Sequence, residues 1–242
     1  MCQIPKWLAD TMTSVANPWL RNAVVTHTSM VSDELKLITF KGDFDHENFL
    51  PGKTVQFRVD ESNFRQYTLS AFNKKDSTCS VLFYLHGKGP GSEWAANLRT
   101  GQPVKFRAGE ATLRYNDEAK HHFFFGDETS LGLFNWYKTT ALACSHEYFG
   151  VLELHPQHEG ALSSLKIMVD NVHALADAPA VNAIDWMEDM HPDCWAAWKG
   201  ATFYLTGRGL SISRFRKYLL GKGVDAVQIR TDAYWADGKA GL

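Results

Sequence analysis

Two patterns of hydrophobic and polar positions divide the chain. From Arg21 to Arg107, short segments rich in β-branched and aromatic residues alternate apolar with polar positions, and turn signals separate them. This pattern predicts an antiparallel barrel or sandwich. The predicted strands are Ala23–Thr28, Glu34–Lys41, Thr54–Val59, Arg65–Ala71, Cys79–Leu85 and Val104–Ala108, with one helix at Ser92–Leu98.

After Tyr115, apolar runs alternate with amphipathic segments of helix length, which is typical of parallel strands joined by crossover helices. We therefore predict two domains, an antiparallel β-barrel at residues 18–114 and a Rossmann-like α/β domain at residues 115–242, linked within residues 109–120. The predicted strands of the second are His122–Phe125, Tyr148–Leu154, Ser164–Val169, Thr202–Thr206 and Val227–Arg230, and its helices are Ser130–Ala143, Ala180–Met190 and Ser211–Gly221.

Composition narrows the class of function. The chain has 242 residues, a hydrophobic content of 45% and a net charge of -2, so it can bury a core and has no bias toward nucleic acid. Its N-terminus lacks the apolar core of a signal peptide, and no apolar run is long enough to span a membrane. We expect a soluble cytoplasmic monomer. The cysteines are too scattered for a cluster, a zinc site or a disulfide framework, and they are interpreted as reduced thiols: Cys2, Cys79, Cys144 and Cys194.

The first candidate site is the predicted strand with the sequence Arg65-Gln66-Tyr67-Thr68-Leu69-Ser70. On a strand, residues two apart point the same way, so Arg65 and Tyr67 share a face. A cation can hold a phosphate, an aromatic ring can cover a flat ring system, and the Thr68 hydroxyl can bond its edge. An ordinary sheet with a surface arginine and a half-buried tyrosine is the alternative reading of this segment.

One strand later, the chain runs from His86 to Trp94 through Gly87, Gly89, Pro90, Gly91 and Ser92. Glycines let the backbone approach an anion closely, and the first N–H groups of a following helix attract negative charge. We expect Ser92 to cap this helix. The segment can therefore bind a phosphate, although a plain strand-turn-helix junction would have the same sequence. It is not a P-loop, because the required Gly-Lys-Ser/Thr is missing.

A third candidate is Phe123-Phe124-Phe125-Gly126-Asp127-Glu128-Thr129-Ser130, an apolar strand that ends in an acidic turn. Ligands of open α/β sheets bind beyond such strand ends. We expect Thr129 to start a helix here. The fingerprint Gly-x-Gly-x-x-Gly is absent, so a capped helix after a buried strand is an equal alternative.

In this order and spacing, the three segments resemble the siderophore-interacting protein family, flavin-dependent ferric-siderophore reductases of the ferredoxin-reductase superfamily. The closing Tyr234-Trp235-Ala236-Asp237-Gly238 is similar to the family's C-terminal Tyr-Trp-x-x-Gly. The resemblance runs from about Pro18 to Gly238. It implies a Greek-key barrel that binds FAD, followed by an α/β domain that receives NADPH or NADH, or electrons from a ferredoxin-type donor.

Roles follow from the resemblance. Arg65 would hold the flavin phosphate, Tyr67 would lie against the isoalloxazine, and Thr68 would sit near its reactive nitrogen; Tyr67 and Thr68 are the predicted catalytic residues. The full predicted set of cofactor-binding residues is Arg65, Gln66, Tyr67, Thr68, Leu69, Ser70, His86, Gly87, Gly89, Gly91, Ser92, Trp94, Asp127, Thr129 and Trp235.

The chain departs from the family at Thr206-Gly207-Arg208-Gly209, where relatives usually carry Ala-Gly-Glu. Arg208 could favour the 2′-phosphate of NADPH or be a solvated charge at the start of a helix. The reductant therefore stays open. No protein metal site is predicted, because His121 and His122 point to opposite faces of a strand and His155 and His158 flank Pro156.

The predicted function is FAD-dependent reduction of ferric-siderophore chelates, which releases ferrous iron because the reduced ion is bound far more weakly by hard oxygen donors. The alternatives are a chelate-binding module without redox turnover, suggested by the altered segment around Arg208, and a general flavin or quinone reductase.

Overall fold

A computed structural model gives the fold and describes residues 20–44, 48–61 and 63–238. Predictions that fall on residues 1–19, with Cys2 and Pro18 among them, and on residues 239–242 lie outside the described residues. No helix in the described ranges is long and apolar enough to cross a membrane.

The N-terminal half forms an antiparallel sheet with the strand order β4-β3-β7-β1-β2-β6-β5. The pairing of β1 with both β2 and β7, and of β6 with both β2 and β5, gives the Greek-key order predicted for this half. The strands are β1 (Arg21–Ser32), β2 (Leu35–Gly42), β3 (Lys53–Arg58), β4 (Phe64–Thr68), β5 (Ala71–Asn73), β6 (Thr78–Tyr84) and β7 (Pro103–Ala111), and helix α1 (Pro90–Asn97) lies between β6 and β7.

The prediction of one continuous strand at Arg65–Ala71 is wrong, because the strand is interrupted at Leu69 and Ser70. The Leu69 N–H donates to the Lys53 carbonyl of β3 (3.0 Å), whereas the next N–H, that of Ser70, donates to the Ser80 carbonyl of β6 (2.7 Å). The chain thus leaves one edge of the sheet and joins the other within two residues. This change of partner closes the sheet into a barrel.

Aromatic residues fill the barrel. Phe40, Phe57, Phe83 and Phe106 are fully or almost fully buried, and their ring centroids lie 4.6–6.4 Å apart in the pairs that touch. Strand alternation explains the arrangement for Phe40, Phe57 and Phe106, each of which stands between two polar neighbours, whereas Phe83 stands between Leu82 and Tyr84. Leu69 completes this core at the point where the barrel closes.

The C-terminal half is a five-stranded parallel sheet with the order β10-β9-β8-β11-β12. The predicted combination of an antiparallel barrel and a Rossmann-like domain is therefore confirmed. Its strands are β8 (His121–Gly126), β9 (Glu147–Leu154), β10 (Asp170–His173), β11 (Thr202–Arg208) and β12 (Ile229–Trp235), and its helices are α2 (Leu131–Ala143), α3 (Gly160–Leu165), α4 (Val181–Glu188), α5 (Pro192–Trp198) and α6 (Gly209–Gly221).

Both faces of this sheet are covered. Phe124 packs in a core with α2 and α3, whereas its neighbours Phe123 and Phe125 pack against α4 and α6. The strand order reverses between β8 and β11, and Asp127 and Arg208 lie at the carboxyl ends of these two strands.

Two predictions for the α/β half are wrong. The segment predicted as the strand Ser164–Val169 contains the end of helix α3, whose buried Ala161, Leu162 and Leu165 lie on one helical face, and the strand starts only at Asp170. The strand predicted at Val227–Arg230 starts at Ile229, after a 3-10 turn at Ala226–Gln228 that Asp225 caps. Short apolar runs allow either structure, and packing decides between them.

Candidate functional site

Arg65 and Tyr67 point to one face of β4, as alternation predicted. Gln66 points to the other face, where it is exposed and accepts a hydrogen bond from Gln56 Nε2 (3.0 Å). Its side chain therefore lies away from Arg65 and Tyr67. Arg65 is partly buried, and its Nη1 donates to the Phe64 carbonyl (2.9 Å).

The Tyr67 ring rests against the aromatic core of the barrel. Its centroid lies 4.6 Å from that of Phe83, edge to face, and 6.3 Å from that of Phe57. Burial raises the pKa of Tyr67 to about 12, against the opposing effect of the Arg65 charge. Tyr67 is thus a neutral aromatic ring that packs against the barrel core beside a cation.

The start of α1 meets both side chains. A Cβ on Gly91 would lie 2.4 Å from the Tyr67 hydroxyl and 3.1 Å from Arg65 Cγ, so only glycine fits here. Gly89 caps the helix at φ 80° and supplies no side-chain bond, and Pro90 follows it. The first N–H groups of α1 therefore have no side-chain cap, which is the arrangement that binds phosphate at helix starts.

The prediction that Ser92 caps this helix is wrong. Ser92 lies inside α1, buried, and its Oγ accepts a hydrogen bond from the Gly87 N–H (3.1 Å). This bond ties the glycine-rich turn to the helix. Gly87 has φ 70°, and a Cβ there or on Gly89 would point into open space, so glycine is required by the backbone conformation rather than by crowding.

Trp94 and His86 lie on opposite sides of this turn in the sequence and play different parts. The Trp94 ring packs on Phe57 (5.2 Å between centroids) and fixes α1 to the barrel. His86 is exposed, and its Nδ1 accepts from the Lys88 N–H (3.3 Å). Partial desolvation of the ring and the Lys88 charge lower the pKa of His86, against the opposing effect of the Glu34 charge.

A buried lysine, which the sequence analysis did not identify, holds the other end of α1. Lys36 on β2 is 8% exposed, and its Nζ donates to the carbonyls of Ala95 (3.1 Å), Ala96 (2.9 Å) and Leu98 (2.8 Å). A cation at a helix C-terminus complements the helix dipole. The only available signal was a lysine at an otherwise apolar position of a strand.

Thr68 lies at the end of β4, and its Oγ donates to the hydroxyl of Tyr234 on β12 (3.1 Å). The prediction named Trp235, whereas its neighbour Tyr234 is the residue that faces Thr68. Leu69 and Ser70 have other tasks: Leu69 is in the core, and Ser70 accepts from Asn135 Nδ2 of α2 (3.0 Å to Oγ). Both side chains are buried, with Leu69 0% and Ser70 1% exposed.

Asp127 joins three segments at the carboxyl edge of the α/β sheet. Its carboxylate accepts from the N–H and the hydroxyl of Thr129, from the Arg208 N–H (2.8 Å) and from Trp235 Nε1 (2.7 Å). Thr129 therefore does not start a helix; it lies in a 3-10 turn at Glu128–Ser130, which Asp127 caps and which leads into α2. Burial raises the pKa of Asp127, while these hydrogen bonds act in the opposite direction.

Two more buried carboxylates lie beside Asp127. Glu128 accepts from the His155 N–H (2.6 Å), and Glu153 accepts from the Ala180 N–H (2.7 Å), which precedes α4. Burial raises the pKa of both, with the Asp127 charge adding to it. Protein carboxylates thus occupy three helix or turn starts at this edge.

Arg208 is bound within the protein. Its Nε and Nη2 contact Asp237 Oδ2 (3.0 and 2.9 Å), and its remaining donors reach the carbonyls of Leu175 and Ala176 (3.2 and 2.8 Å). The guanidinium also lies over the Trp235 ring. These contacts connect the end of β11 to the segment before α4 and to the C-terminal segment that carries Trp235 and Asp237.

The structure therefore brings together Arg65, Tyr67, Gly87, Gly89, Gly91, Ser92 and Trp94 at the barrel, with His86 at its border and Thr68 at its α/β side. Asp127, Thr129 and Trp235 form a separate cluster across β12. Among the described residues, no group of three or more His, Cys, Asp or Glu side chains is placed to hold a metal ion.

Comparisons with known proteins agree with this division. Residues 48–112 match the family model of the siderophore-interacting FAD-binding domain, which confirms the predicted resemblance for the segment that carries Arg65 and α1. No curated protein matches the sequence significantly.

Solved structures extend the likeness to the whole fold. A siderophore-interacting protein from Acinetobacter baumannii is 16% identical, with a TM-score of 0.75 over 91% of this chain and 92% of that one. One from Aeromonas hydrophila is 18% identical, with a TM-score of 0.72 over 91% and 93%. A mutant of ferredoxin-NADP+ reductase from Plasmodium falciparum is 12% identical, with a TM-score of 0.69 over 88% and 95%. The fold is therefore ferredoxin-reductase-like, and the FAD-binding match supports a flavin-dependent redox function.

Proposed function

We propose that the chain is an FAD-dependent reductase that reduces ferric-siderophore chelates in the cytoplasm and so releases ferrous iron. The observation that carries the proposal is the meeting of Arg65, Tyr67 and the uncapped start of α1 at Gly91. A cation, an aromatic plate and free helix N–H groups are the three elements that a flavin dinucleotide needs, and all lie within the segment that matches the FAD-binding family model.

The residues fit FAD in distinct roles. Arg65 and the first N–H groups of α1 would hold the phosphates, because both offer donors to negative charge. Tyr67, packed from behind by Phe83, would support the ring system. Thr68 would meet the edge of the ring. When bound, the flavin accepts two electrons from a donor and passes them on one at a time, which suits a one-electron reduction of ferric iron.

The protein need not supply a nucleophile or an acid-base pair for this reaction. Reduction converts a small trivalent ion into a larger divalent one, which hard oxygen donors bind less tightly, so release follows from the charge of the metal. The protein's part is to hold the flavin and admit the chelate to its exposed edge. We propose NADPH, NADH or a ferredoxin-type protein as the electron donor.

The decisive experiment begins with the purified protein and FAD. We expect uptake of FAD, with a flavin spectrum, followed by bleaching on anaerobic titration with NADPH, NADH or reduced ferredoxin. Adding a ferric chelate should restore the oxidised spectrum and give colour with a ferrous chelator. A colourless protein that takes up no FAD would refute the proposal.

A chelate-binding module is the second candidate, and it is favoured by the tie of Arg208 into the protein, which differs from the family pattern. Chelate binding without any bleaching of bound flavin would support it.

A general flavin or quinone reductase would instead turn over free flavin or quinone faster than ferric chelates. Size-exclusion chromatography with light scattering tests the proposed monomer in the same samples.

A further inference from the structure

The last strand, β12, reaches from the α/β sheet to the barrel. Alternate residues on one side of β12 bond to the barrel or to the segment that follows it, as the two-residue period of a strand allows. The three contacts are Arg230 Nη1 to the Arg114 carbonyl (2.7 Å), Thr112 Oγ to Asp232 Oδ2 (2.6 Å), and Thr68 Oγ to the Tyr234 hydroxyl (3.1 Å). The last of them ends at the residue predicted to face the flavin.

We propose that Tyr234 is a positioning residue for the flavin: by accepting a hydrogen bond from the Thr68 hydroxyl, it turns the lone pairs of that hydroxyl toward the cofactor and favours the reduced flavin. This inference rests on the proposed function, because it needs FAD beside Thr68. It assigns to the α/β domain a direct influence on the flavin held by the barrel.

The direction of this hydrogen bond decides what the Thr68 hydroxyl can offer to a flavin. A threonine hydroxyl has one proton and two acceptor lone pairs. Because Thr68 donates its proton to Tyr234, it can only accept a hydrogen bond from another neighbour. The reactive ring nitrogen of a flavin is an acceptor when oxidised and carries an N–H donor when reduced. An accepting Thr68 therefore matches the reduced form and mismatches the oxidised one.

Tyr234 is suited to hold this arrangement at every working pH. Burial raises the pKa of its phenol, and the negative charges of Asp232 and Asp127 raise it further, while the bond from Thr68 acts in the opposite direction. The hydroxyl thus stays neutral. β12 is paired with β11 from Ile229 to Ala233 and again at Trp235, with a register shift at Tyr234, so the ring is carried by a strand rather than by a loop.

The test compares flavin midpoint potentials in FAD-loaded variants. Tyr234→Phe removes the acceptor and frees the Thr68 proton for the oxidised flavin, so the potential should fall, and at a fixed potential the ratio of oxidised to reduced flavin should rise about threefold or more. Thr68→Val should abolish the effect of Tyr234→Phe in the double variant. Thr68→Ser keeps the hydroxyl and should keep the dependence on Tyr234.

The matched control is Tyr218→Phe on α6, whose phenol interacts with Glu188 and Lys222 on the outer face. It should leave the potential unchanged. Equal potentials for wild type and Tyr234→Phe, or the same shift with and without the Thr68 hydroxyl, would overturn the inference while leaving FAD binding intact. Failure of the wild type to bind FAD would instead refute the proposed function, and the inference with it.

Discussion

The barrel and the α/β sheet use the start of a helix in opposite ways. At the barrel, α1 begins at Gly89 without a side-chain cap, beside the Arg65 cation. At the carboxyl edge of the α/β sheet, Asp127 binds the N–H that opens α6, and Glu153 binds the N–H before α4. The start of α1 has no side-chain cap, whereas the protein's own carboxylates bind the N–H groups at the α/β edge.

The two kinds of helix start differ in whether a side chain of the protein binds their N–H groups. Unpaired N–H groups at a helix start favour negative charge, so we expect an external anion at the uncapped start and a structural contact at the start that a carboxylate already binds. The filled edge links β8, β11 and β12 through Asp127, and β12 in turn carries Tyr234 to Thr68. The acidic edge therefore organises the strand that reaches the barrel.

The largest effect is expected from Arg65→Ala. Loss of a charge-assisted hydrogen bond to phosphate should weaken FAD binding by about 10- to 100-fold, because such bonds contribute about 1.5–3 kcal/mol. Flavin fluorescence titration measures the affinity. Arg107→Ala is the control, since its guanidinium lies over Phe64 and bonds Gln56. Equal losses in both variants would contradict an anion site at Arg65.

Gly91→Ala should come next, at about tenfold in FAD affinity. The added methyl group would meet the Tyr67 hydroxyl at 2.4 Å, and Tyr67 cannot yield easily because its ring is packed against Phe83. Crowding of this kind costs about 1–3 kcal/mol. Gly221→Ala in α6 is the matched control, because a Cβ there meets nothing within 4 Å. Unchanged affinity in Gly91→Ala would show that α1 and Tyr67 do not form one site.

Lys36→Met tests whether α1 is held from its C-terminus. Three carbonyls would lose their donor, and we expect a fall in unfolding free energy of about 1–3 kcal/mol with a severalfold weaker FAD affinity. Urea unfolding and fluorescence titration measure the two. Lys41→Met on the same strand, where the side chain is exposed, should change neither. A stability loss without any change in affinity would make Lys36 purely structural.

The smallest effect concerns the acidic edge. Because burial raises the pKa of Glu153 above its usual 4.5, the folded state holds a proton that the unfolded state has lost, so this group's contribution to stability falls as pH rises from 4.5 through the folded pKa. Glu153→Gln removes this dependence. We expect urea unfolding to give the variant a flatter profile of stability against pH, with a difference of about 1 kcal/mol at most near pH 7. A steeper profile would contradict the assigned cause.

Several features followed from the sequence because local chemistry fixes them. Alternation put Arg65 and Tyr67 on one face, the two apolar patterns predicted the barrel and the α/β sheet, and the glycines marked the turn before α1, where Gly87 and Gly89 have positive φ. Each of these depends on residues close together in the chain.

Other features could not be predicted because their partners are distant in sequence. Lys36 is more than fifty residues from the helix it caps, and nothing local shows that a strand lysine is buried. Thr68 and Tyr234 are 166 residues apart in the sequence. The segment predicted as Ser164–Val169 has an apolar spacing that suits either structure, and packing of Ala161, Leu162 and Leu165 on the sheet selects the helix.

The amino-acid sequence alone determined the division into an antiparallel and a parallel half and which side chains could serve a flavin, since strand period, turn chemistry and residue type act over a few positions. The tertiary structure alone decided that Gly91 meets Tyr67, that the Asp127 carboxylate is hydrogen-bonded within the protein, and that Tyr234 rather than Trp235 reaches the barrel. The physical reason is that a hydrogen bond or a close contact depends on the position of both partners, and only the folded chain fixes both.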